Sequence, residues 1–241
     1  MNAATARLID DVRTFVRRFI FLDDDQTLAV ALWIIHTHAV DALGITPYLS
    51  ITSAEKQSGK THLLELLNLL VAKPWMSGDV TAATLVRKVD QQRPTLLLDE
   101  SDATFKGGSE YAETLRGVLN TGFRSSGTFS RCVGPSATSL SVKDFSTFCA
   151  KAIAGIGTLP DTVADRSIPI RMKRKAPHEQ VERWRERKVP LEAEGLRERI
   201  ARWAEEHDEH LAGLDLAPID ELSDRAADVW EPLLGIAYVA G

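Results

Sequence analysis

The sequence predicts an α/β fold in which helices flank a parallel sheet, and two segments carry this prediction. Residues 48–52 form a short apolar run suited to a strand, and they lead through a polar loop into 60–71, a helix that is apolar on nearly every face. Residues 94–100 contain three consecutive leucines and end in two carboxylates, which is typical of a central strand buried on both faces. The 241 residues suffice for one large domain, or for one domain with an appendage.

The N-terminal region is predicted to be helical. Apolar residues recur at helical spacing over 3–19, and the aspartates 23–25 can cap a second helix that runs through Leu43. His36 and His38 lie two residues apart in this second helix, so they point to different faces. We therefore expect satisfied or solvent-facing histidines and not a metal pair.

The loop after the first strand has the residues of a phosphate-binding loop, the P-loop or Walker A motif. Gly59 lets the backbone turn its N–H groups towards phosphate oxygens, Lys60 can meet the β- and γ-phosphates, and the Thr61 hydroxyl can bind magnesium. The general motif G-x-x-x-x-G-K-[ST] has glycine where this sequence has Ala54, and alanine tolerates positive φ poorly. A chance Gly-Lys-Thr at a helix start is the alternative. The predicted nucleotide-binding residues are Ala54, Glu55, Lys56, Gln57, Ser58, Gly59, Lys60, Thr61 and His62.

The second strand predicts a Walker B pair. A central parallel strand delivers its last residues to the carboxyl edge of the sheet, where ligands bind in open α/β folds. There Asp99 can hold magnesium through water, and Glu100 can orient and deprotonate an attacking water. The alternative is that both residues only end a strand and cap the next turn. Their place about forty residues after the Gly-Lys-Thr loop favours hydrolysis of the nucleotide.

The elements between and after these motifs follow from turn and capping residues. A short strand is expected at 75–80, and Thr81 caps a helix over 82–92. A further helix is expected over 110–124, ended by Gly127.

Next come two β-prone runs, 128–133 and 138–143, joined by the turn signal 134–136, so we expect a β-hairpin before the following strand. That strand covers 151–157, and Thr158 stands at its end. Thr158 is our candidate for a residue that senses the γ-phosphate or the attacking water. Its alternative role is a hydroxyl that only starts a turn.

The last strand of the core alternates in polarity. Ile168, Ile170 and Met172 point one way, whereas Arg171 and Lys173 point the other way. The densest basic run of the chain follows from this strand and consists of Arg171, Lys173, Arg174 and Lys175 around Met172.

The C-terminal region is predicted to be all-helical. Pro177 opens a helix through Lys188, and Pro190 restarts one that runs to about Leu211. A cap at residue 223 or 224 begins the last helix, which continues through Val239. The sequence leaves open whether the chain continues beyond this helix.

These elements divide the chain into an N-terminal helical segment (1–45), an α/β core (46–176) and a C-terminal helical lid (177–241). No segment has the roughly 18 consecutive apolar residues of a membrane span. Two cysteines, Cys132 and Cys149, cannot form a metal cage, and we interpret them as core thiols in a reducing, cytoplasmic compartment. The net charge of −5 gives no global attraction for nucleic acid, so any such contact depends on local patches.

The chain resembles a family of uncharacterised P-loop proteins that phages, plasmids and actinobacterial genomes carry, often behind primase-type domains, and that are usually described as helicase-like. More distantly it resembles AAA+ ATPases. The motifs that carry the resemblance are ITSAEKQSGKT at 51–61, LLLDE at 96–100, FSTFCAKAIAGIG at 145–157, LPDTVADRSIPI at 159–170 and LSDRAADVWEPL at 222–233. The resemblance implies a magnesium-dependent ATPase that works as a homo-oligomer, with a ring as one form.

By this resemblance, Arg166 matches the arginine finger of AAA+ proteins, which reaches the γ-phosphate of a neighbouring subunit. The alternative is a surface ion pair with Asp165. Arg225 matches the lid arginine that contacts nucleotide from above, or else it is a surface residue at a helix start.

The resemblance also raises DNA as a partner. Related ring helicases put a hairpin into the central pore, where Arg131 and Lys143 could contact phosphates. The basic run Arg171, Lys173, Arg174 and Lys175 could do the same, or it could protect the exit of an edge strand. The first functional hypothesis is therefore an oligomeric DNA-directed motor in replication or mobile-element maintenance. The second is an interaction protein that ATP switches, with slow or no turnover.

Overall fold

A computed structural model gives the fold of this chain. It describes residues 3–77, 80–99, 108–133, 141–176, 178–217, 219 and 222–241. Its centre is a five-stranded, fully parallel sheet with the order β2-β3-β6-β1-β7. The strands of this sheet are β1 (Tyr48–Ser53), β2 (Pro74–Ser77), β3 (Thr95–Leu98), β6 (Lys151–Ile156) and β7 (Ser167–Arg171). The predicted α/β class with a parallel sheet is confirmed.

Burial explains why the middle strands are parallel and contiguous. β1 lies between β6 and β7, and Leu49 and Ile51 on this strand are fully buried. Leu96 and Leu97 of β3 are buried as completely. Strands that are apolar on both faces need helices on both faces, and the chain supplies them between the strands.

The helices of the described residues surround this sheet. Their bounds are α1 (Ala3–Phe19), α2 (Asp24–His38), α3 (Val40–Leu43), α4 (Lys60–Leu70), α5 (Ala82–Gln92), α6 (Glu110–Thr121), α7 (Asp161–Ala164), α8 (Val189–Ala212) and α9 (Asp224–Ala240). The predicted caps Asp23, Thr81 and Ser223 are all present, each accepting a bond from a backbone N–H three residues on.

The second helix is shorter than predicted. It ends at His38, and the one-turn α3 follows after Ala39, whose N–H bonds to His36 O at 3.0 Å. Both histidines are engaged by other parts of the chain, since His36 Nε2 lies 2.9 Å from Thr46 Oγ1 and His38 Nε2 lies 2.8 Å from Leu70 O. Each ring thus has a hydrogen bond through Nε2, although the Nδ1 atom of His36 is buried without a partner among the described residues.

The helix predicted from Pro177 to Lys188 is wrong. Pro177 lies outside the described residues, and 178–188 is an irregular segment, which we call the strap. Within it, the ring of Trp184 packs edge-on against Phe19, at 5.3 Å between centroids, and the N–H of Glu182 bonds to Arg18 O at 2.6 Å. These contacts with α1 hold the strap in a path that a helix could not follow.

The hairpin between β3 and β6 is confirmed as β4 (Thr128–Val133) and β5 (Ser141–Ser146). Its second strand begins at Ser141, and the predicted turn and residues 138–140 lie outside the described residues. The expectation that both cysteines are core thiols is wrong for one of them: Cys149 is buried, but Cys132 lies on β4 and is exposed. Burial alternates along β4, and Cys132 lies on the exposed face of this strand together with Thr128 and Ser130.

Two smaller bounds also differ. The strand predicted over 75–80 is described to Ser77, beyond which residues 78–79 lie outside the description. α6 ends at Thr121 and not at Arg124, because Arg124 instead forms a bridge with Ile45 ahead of β1.

The terminal helices pack on each other and on the α/β core. α9 packs on α2 and α1, and α8 packs on α4, so one apolar core runs through all three predicted regions. Trp203 of α8 also donates to Thr5 Oγ1 of α1 at 2.9 Å. The boundaries at 45 and 176 stay predictions. No helix among the described residues is long and apolar enough to cross a membrane.

Candidate functional site

The loop that joins β1 to α4 has the left-handed conformation at two positions. Gly59 has φ of 87°, and Gln57 has φ of 60°. Ala54 does not have a positive φ, in contrast to Gln57, Lys73 and Arg93 among the described non-glycine residues. The strain expected at Ala54 is therefore absent, because this loop makes its left-handed turn at Gln57 and Gly59 instead.

Lys60 places its charge inside this loop. Its Nζ donates to Ser53 Oγ at 2.7 Å and lies 3.4 Å from both Glu55 O and Ser58 Oγ. Ser53 Oγ in turn donates to Glu55 O at 2.6 Å. The ammonium thus sits where phosphate oxygens would replace the loop oxygens as its partners. Ser53, the last residue of β1, was not among the predicted site residues, and it lies one position beyond the predicted strand.

Thr61 and Asp99 meet at the carboxyl edge of the sheet. Thr61 is the second residue of α4, which follows β1, and Asp99 follows β3. The Thr61 hydroxyl donates to Asp99 Oδ2 at 2.7 Å. A hydroxyl and a carboxylate are hard oxygen donors, which suit magnesium. No cluster of three or more His, Cys, Asp or Glu occurs among the described residues. Magnesium commonly takes one or two protein oxygens and completes its shell with phosphate oxygens and water, so the pair fits this ion.

Thr158 also lies at this edge. The N–H of Gly157, whose φ is 84°, lies 3.2 Å from Ser53 O, so the end of β6 lies beside the end of β1. Thr158 is exposed there. Its role as a sensor stays a prediction. Glu100, the predicted residue that activates water, lies outside the described residues.

Arg166 lies at the opposite edge of the sheet. Its carbonyl accepts the N–H of Tyr48 at 2.9 Å, at the start of β1, and its guanidinium donates to Thr162 O. The length of β1 separates it from the loop of the same chain by roughly 16 Å, at about 3.3 Å per residue. Among the described residues no ion pair joins Arg166 to Asp165. The position excludes a contact with its own loop and leaves the role in trans as a prediction.

In the described part of the chain, no hydrogen bond or ion pair joins Arg225 to the loop. It is exposed in the first turn of α9. One turn further along α9, Asp228 pairs with Arg124 at 2.5 Å, and Arg124 lies beside Ile45, ahead of β1. The start of α9 is therefore near the amino edge of the sheet. The lid-arginine role stays a prediction.

The basic run after β7 lies next to the loop. β7 is an edge strand, as one reading of this run supposed, but it is also the parallel neighbour of β1. The run therefore leaves the sheet at the loop's own edge, where Arg174 Nη2 donates to Gln57 Oε1 at 3.3 Å. Sequence reasoning missed this placement because the strand order is not written in the sequence.

The strap touches the first turn of α4. The ring of His62, the residue after Thr61, packs edge-on against Trp184 at 4.7 Å between centroids. Glu182 binds the Arg18 guanidinium through two bonds of 2.9 Å, and the Arg18 guanidinium lowers the pKa of that carboxyl. The first turn of α4, directly after the loop, is thus connected to α1 through two side chains of the strap.

The charges predicted for DNA on the hairpin already have partners. Arg131 pairs with Glu110 of α6, and the Lys143 ammonium lies 4.9 Å from the ring centroid of Phe145. Val142, which pairs with Cys132 across the hairpin, is 72% exposed. The hairpin is a protruding surface, but its cations are less available than the sequence suggested.

A buried lysine is the least expected polar residue near the sheet. Lys151, at the start of β6, is fully buried, and its Nζ donates to Cys149 O, Thr147 O and Gly122 O at 2.8, 3.0 and 3.2 Å. Burial lowers the pKa of Lys151. Three acceptors match the three N–H groups of an ammonium, whereas a neutral amine has only two. This lysine ties β6 to α6 at the amino edge, away from the loop.

Comparisons with known proteins add little at this level of similarity. The profile of one family, described as a protein of unknown function (DUF3631), matches residues 171–241. A search of the curated proteins found no match.

Among solved structures, an apo NrS-1 C-terminal region is 14% identical with a TM-score of 0.39, over 96% of this chain and 51% of that one. An apo structure of NrS-1 residues 305–718 is 15% identical with a TM-score of 0.41, over 100% of this chain and 51% of that one. A JCV helicase with a bound phenylacetamide compound is 14% identical with a TM-score of 0.41, over 99% of this chain and 61% of that one. This chain thus spans about half to three fifths of these chains. We base the functional proposal on the site alone.

Proposed function

We propose that this chain binds ATP with magnesium and hydrolyses it. The observation that carries the proposal is the convergence of Lys60, Thr61 and Asp99 on one edge of the parallel sheet, with Thr61 and Asp99 2.7 Å apart. These residues follow β1 and β3, two strands that only β6 separates in the sheet. Parallel strands of open α/β folds bind ligands at this carboxyl edge.

Each residue has a role that its chemistry allows. Lys60 stabilises the negative charge of the β- and γ-phosphates, and the loop N–H groups before α4 add to this effect. Thr61 and Asp99 hold magnesium, which when bound neutralises phosphate charge. Glu100 follows Asp99 in the chain and is proposed to orient and deprotonate the attacking water. Thr158 is proposed to sense the γ-phosphate.

We further propose that a second copy completes the site. Arg166 is separated from its own loop by the length of β1, so it can reach a γ-phosphate only in a neighbouring subunit. A homo-oligomer, with a ring as one form, would bring the amino edge of one copy to the carboxyl edge of the next. In this proposal the chain is a cytoplasmic, DNA-directed motor, and the β4–β5 hairpin and the residues Arg131, Lys143, Arg171, Lys173 and Lys175 are its candidate DNA contacts.

The test is ATP turnover with and without single-stranded DNA. We expect DNA to stimulate the wild type, and we expect Glu100→Gln and Arg166→Ala each to lower the rate by about 10³-fold or more. Arg87→Ala, an exposed arginine on α5, is the matched control for the loss of one positive charge and should retain the rate. Absence of magnesium-dependent ATP binding to the wild type would remove the proposal.

Mixing variants tests the action in trans. Lys60→Ala keeps Arg166 and Arg166→Ala keeps the loop, so each supplies what the other lacks. Random pairing at equal amounts should recover about a quarter of the wild-type rate in a head-to-tail oligomer. No recovery, together with a monomeric mass both with and without ATP, would remove the role of Arg166.

The second candidate, a nucleotide-switched interaction protein, is favoured by the strap. His62 follows Thr61 directly and contacts Trp184, and the strap is bonded to α1 through Arg18 and Glu182. A change at the loop on nucleotide binding could therefore alter the surface of the N-terminal helices. Tight ATP binding with negligible turnover, unaffected by DNA, would support the switch over the motor.

A further inference from the structure

The segment after β7 runs alongside the nucleotide loop and contacts it at two places. The N–H of Met172 donates to Thr52 O at 2.8 Å, which continues the pairing of β7 with β1. The Met172 side chain is buried beside Gly59, where an added Cβ would lie 3.4 Å from Met172 Cε. Two residues further on, Arg174 reaches Gln57. Every second residue from Met172 to Arg174 therefore faces the loop.

Arg174 brings a second positive charge to the loop in addition to Lys60. Its Nη2 donates to Gln57 Oε1 at 3.3 Å, and the residue is exposed. Among the described residues, no other cation from outside 53–60 has a hydrogen bond to the loop. A guanidinium carries five N–H donors in a planar fork, so one weak bond to an amide leaves most of them available for phosphate oxygens.

The strand order fixes which part of a nucleotide this charge can reach. Asp99 follows β3, which lies on one side of β1, whereas Arg174 follows β7, on the other side. The Thr61–Asp99 pair marks the end of the phosphate chain where magnesium and the terminal phosphate would lie. Arg174 is on the opposite flank of the loop and therefore faces the phosphates nearer to the nucleoside.

We propose that Arg174 binds the inner phosphates of the nucleotide held by the loop of its own chain. This inference rests on the proposed function, since it assumes that the loop binds a nucleoside triphosphate. It assigns Arg174 to nucleotide binding and removes it from the basic run considered for DNA. Because ADP retains the inner phosphates, Arg174 contributes equally to the binding of ATP and ADP and does not contribute to the hydrolysis step.

The test measures equilibrium binding of ATP and ADP, and ATP turnover, on the full chain. Arg174→Ala should weaken the binding of both ATP and ADP by about tenfold, which is the loss of affinity expected for one charged hydrogen bond. Because the contact is the same before and in the transition state, KM should rise while kcat stays within about twofold. Arg174→Lys keeps the charge without the fork and should recover part of the affinity.

Arg87→Ala is the control for the loss of one exposed arginine, since α5 connects β2 and β3 on the far side of the sheet from β7. Unfolding curves of all variants should coincide with the wild type, because both arginines are exposed.

Four results would overturn the inference. Unchanged affinity of Arg174→Ala for ATP and ADP, with normal wild-type binding, removes Arg174 and leaves the proposed function intact. A loss of kcat without a change in binding makes Arg174 a transition-state residue, and a loss confined to single-stranded DNA affinity returns it to a DNA surface. A wild type that binds no nucleotide removes the proposed function together with this inference.

Discussion

The hydroxyl of Thr61 donates a 2.7 Å hydrogen bond to Oδ2 of Asp99. The two residues are thirty-eight positions apart in the chain, and they follow different strands of the parallel sheet, β1 and β3. A hydroxyl proton that points at a carboxylate leaves both oxygens oriented towards the same space, where a cation could take them as a direct and a water-mediated partner.

The first prediction concerns this pair. Mg²⁺ should raise the ATP affinity of the wild type, and Thr61→Ala and Asp99→Asn should each reduce this gain by about tenfold or more. Both substitutions take away an oxygen or a charge from the proposed metal site. The measurement is ATP affinity with Mg²⁺ and with a chelator. Thr61→Ser keeps the hydroxyl and should keep the gain, whereas an equal Mg²⁺ effect in all four proteins would contradict the prediction.

The second prediction concerns the backbone of the loop. Gln57 has φ of 60°, which costs a residue with a side chain roughly 1–2 kcal/mol and costs glycine little. Gln57→Gly should therefore raise the free energy of unfolding by up to about 1 kcal/mol, as seen by denaturant titration. Ala54→Gly should give no such gain, since Ala54 has no positive φ.

Gln91→Gly is the matched control, because Gln91 lies within α5. Glycine in a helix costs up to about 1 kcal/mol, so this change should lower stability. A loss of stability in Gln57→Gly as large as that in Gln91→Gly would show that the loop does not hold the left-handed turn at Gln57.

The third prediction concerns acid stability. His36 is fully buried, and burial lowers the pKa of its imidazole to about 3, against about 6.5 for an exposed histidine. Between these values the unfolded chain binds a proton and the folded chain does not. The stability present above pH 6.5 is therefore lost as the pH falls, by about 1.4 kcal/mol per pH unit for this residue.

The measurement is urea unfolding between pH 7.5 and pH 5, with His36→Gln as the comparison. Glutamine can still bond to Thr46 Oγ1, the present partner of the ring, but it does not titrate. The free energy of unfolding of the variant should therefore depend less steeply on pH, because the contribution of His36 is gone. The contribution of His38, whose pKa burial also lowers, remains in both proteins. Equal slopes in both proteins would contradict the prediction.

The fourth prediction compares the same substitution at two glycines. A Cβ added at Gly122 would lie 2.2 Å from Thr147 O and 2.5 Å from Lys151 Nζ, so backbone or the buried ammonium must move. Gly122→Ala should lower the free energy of unfolding by about 1–3 kcal/mol. Gly195 lies inside α8 with nothing within 4 Å of an added Cβ, so Gly195→Ala should raise it by up to about 1 kcal/mol.

Thermal or denaturant unfolding gives both values in one experiment. The opposite signs separate a steric effect at Gly122 from a general effect of replacing glycine. A neutral Gly122→Ala would mean that the Lys151 network at the amino edge is loosely packed.

Local sequence patterns predicted most of the elements, because their signals lie within a few residues of each other. Thr81 and Ser223 cap their helices, and the apolar runs of β1 and β3 need no distant information to be recognised. The loop residues Lys60 and Thr61 could be predicted as site candidates for the same reason. The strap was mispredicted because Trp184 packs against Phe19 and Glu182 is hydrogen-bonded to Arg18. Both partners lie in α1, more than 160 residues away, and these contacts override a helical pattern.

The sequence by itself determined that this chain has a buried parallel sheet and a Gly-Lys-Thr loop followed by a strand that ends in carboxylates. Burial and phosphate chemistry are properties of single segments, so one-dimensional patterns carry them. The tertiary structure alone decided the strand order, which puts Asp99 and Arg174 on opposite flanks of the loop and Arg166 at the far edge. Strand order depends on how separate segments pack together, and no local pattern contains that information.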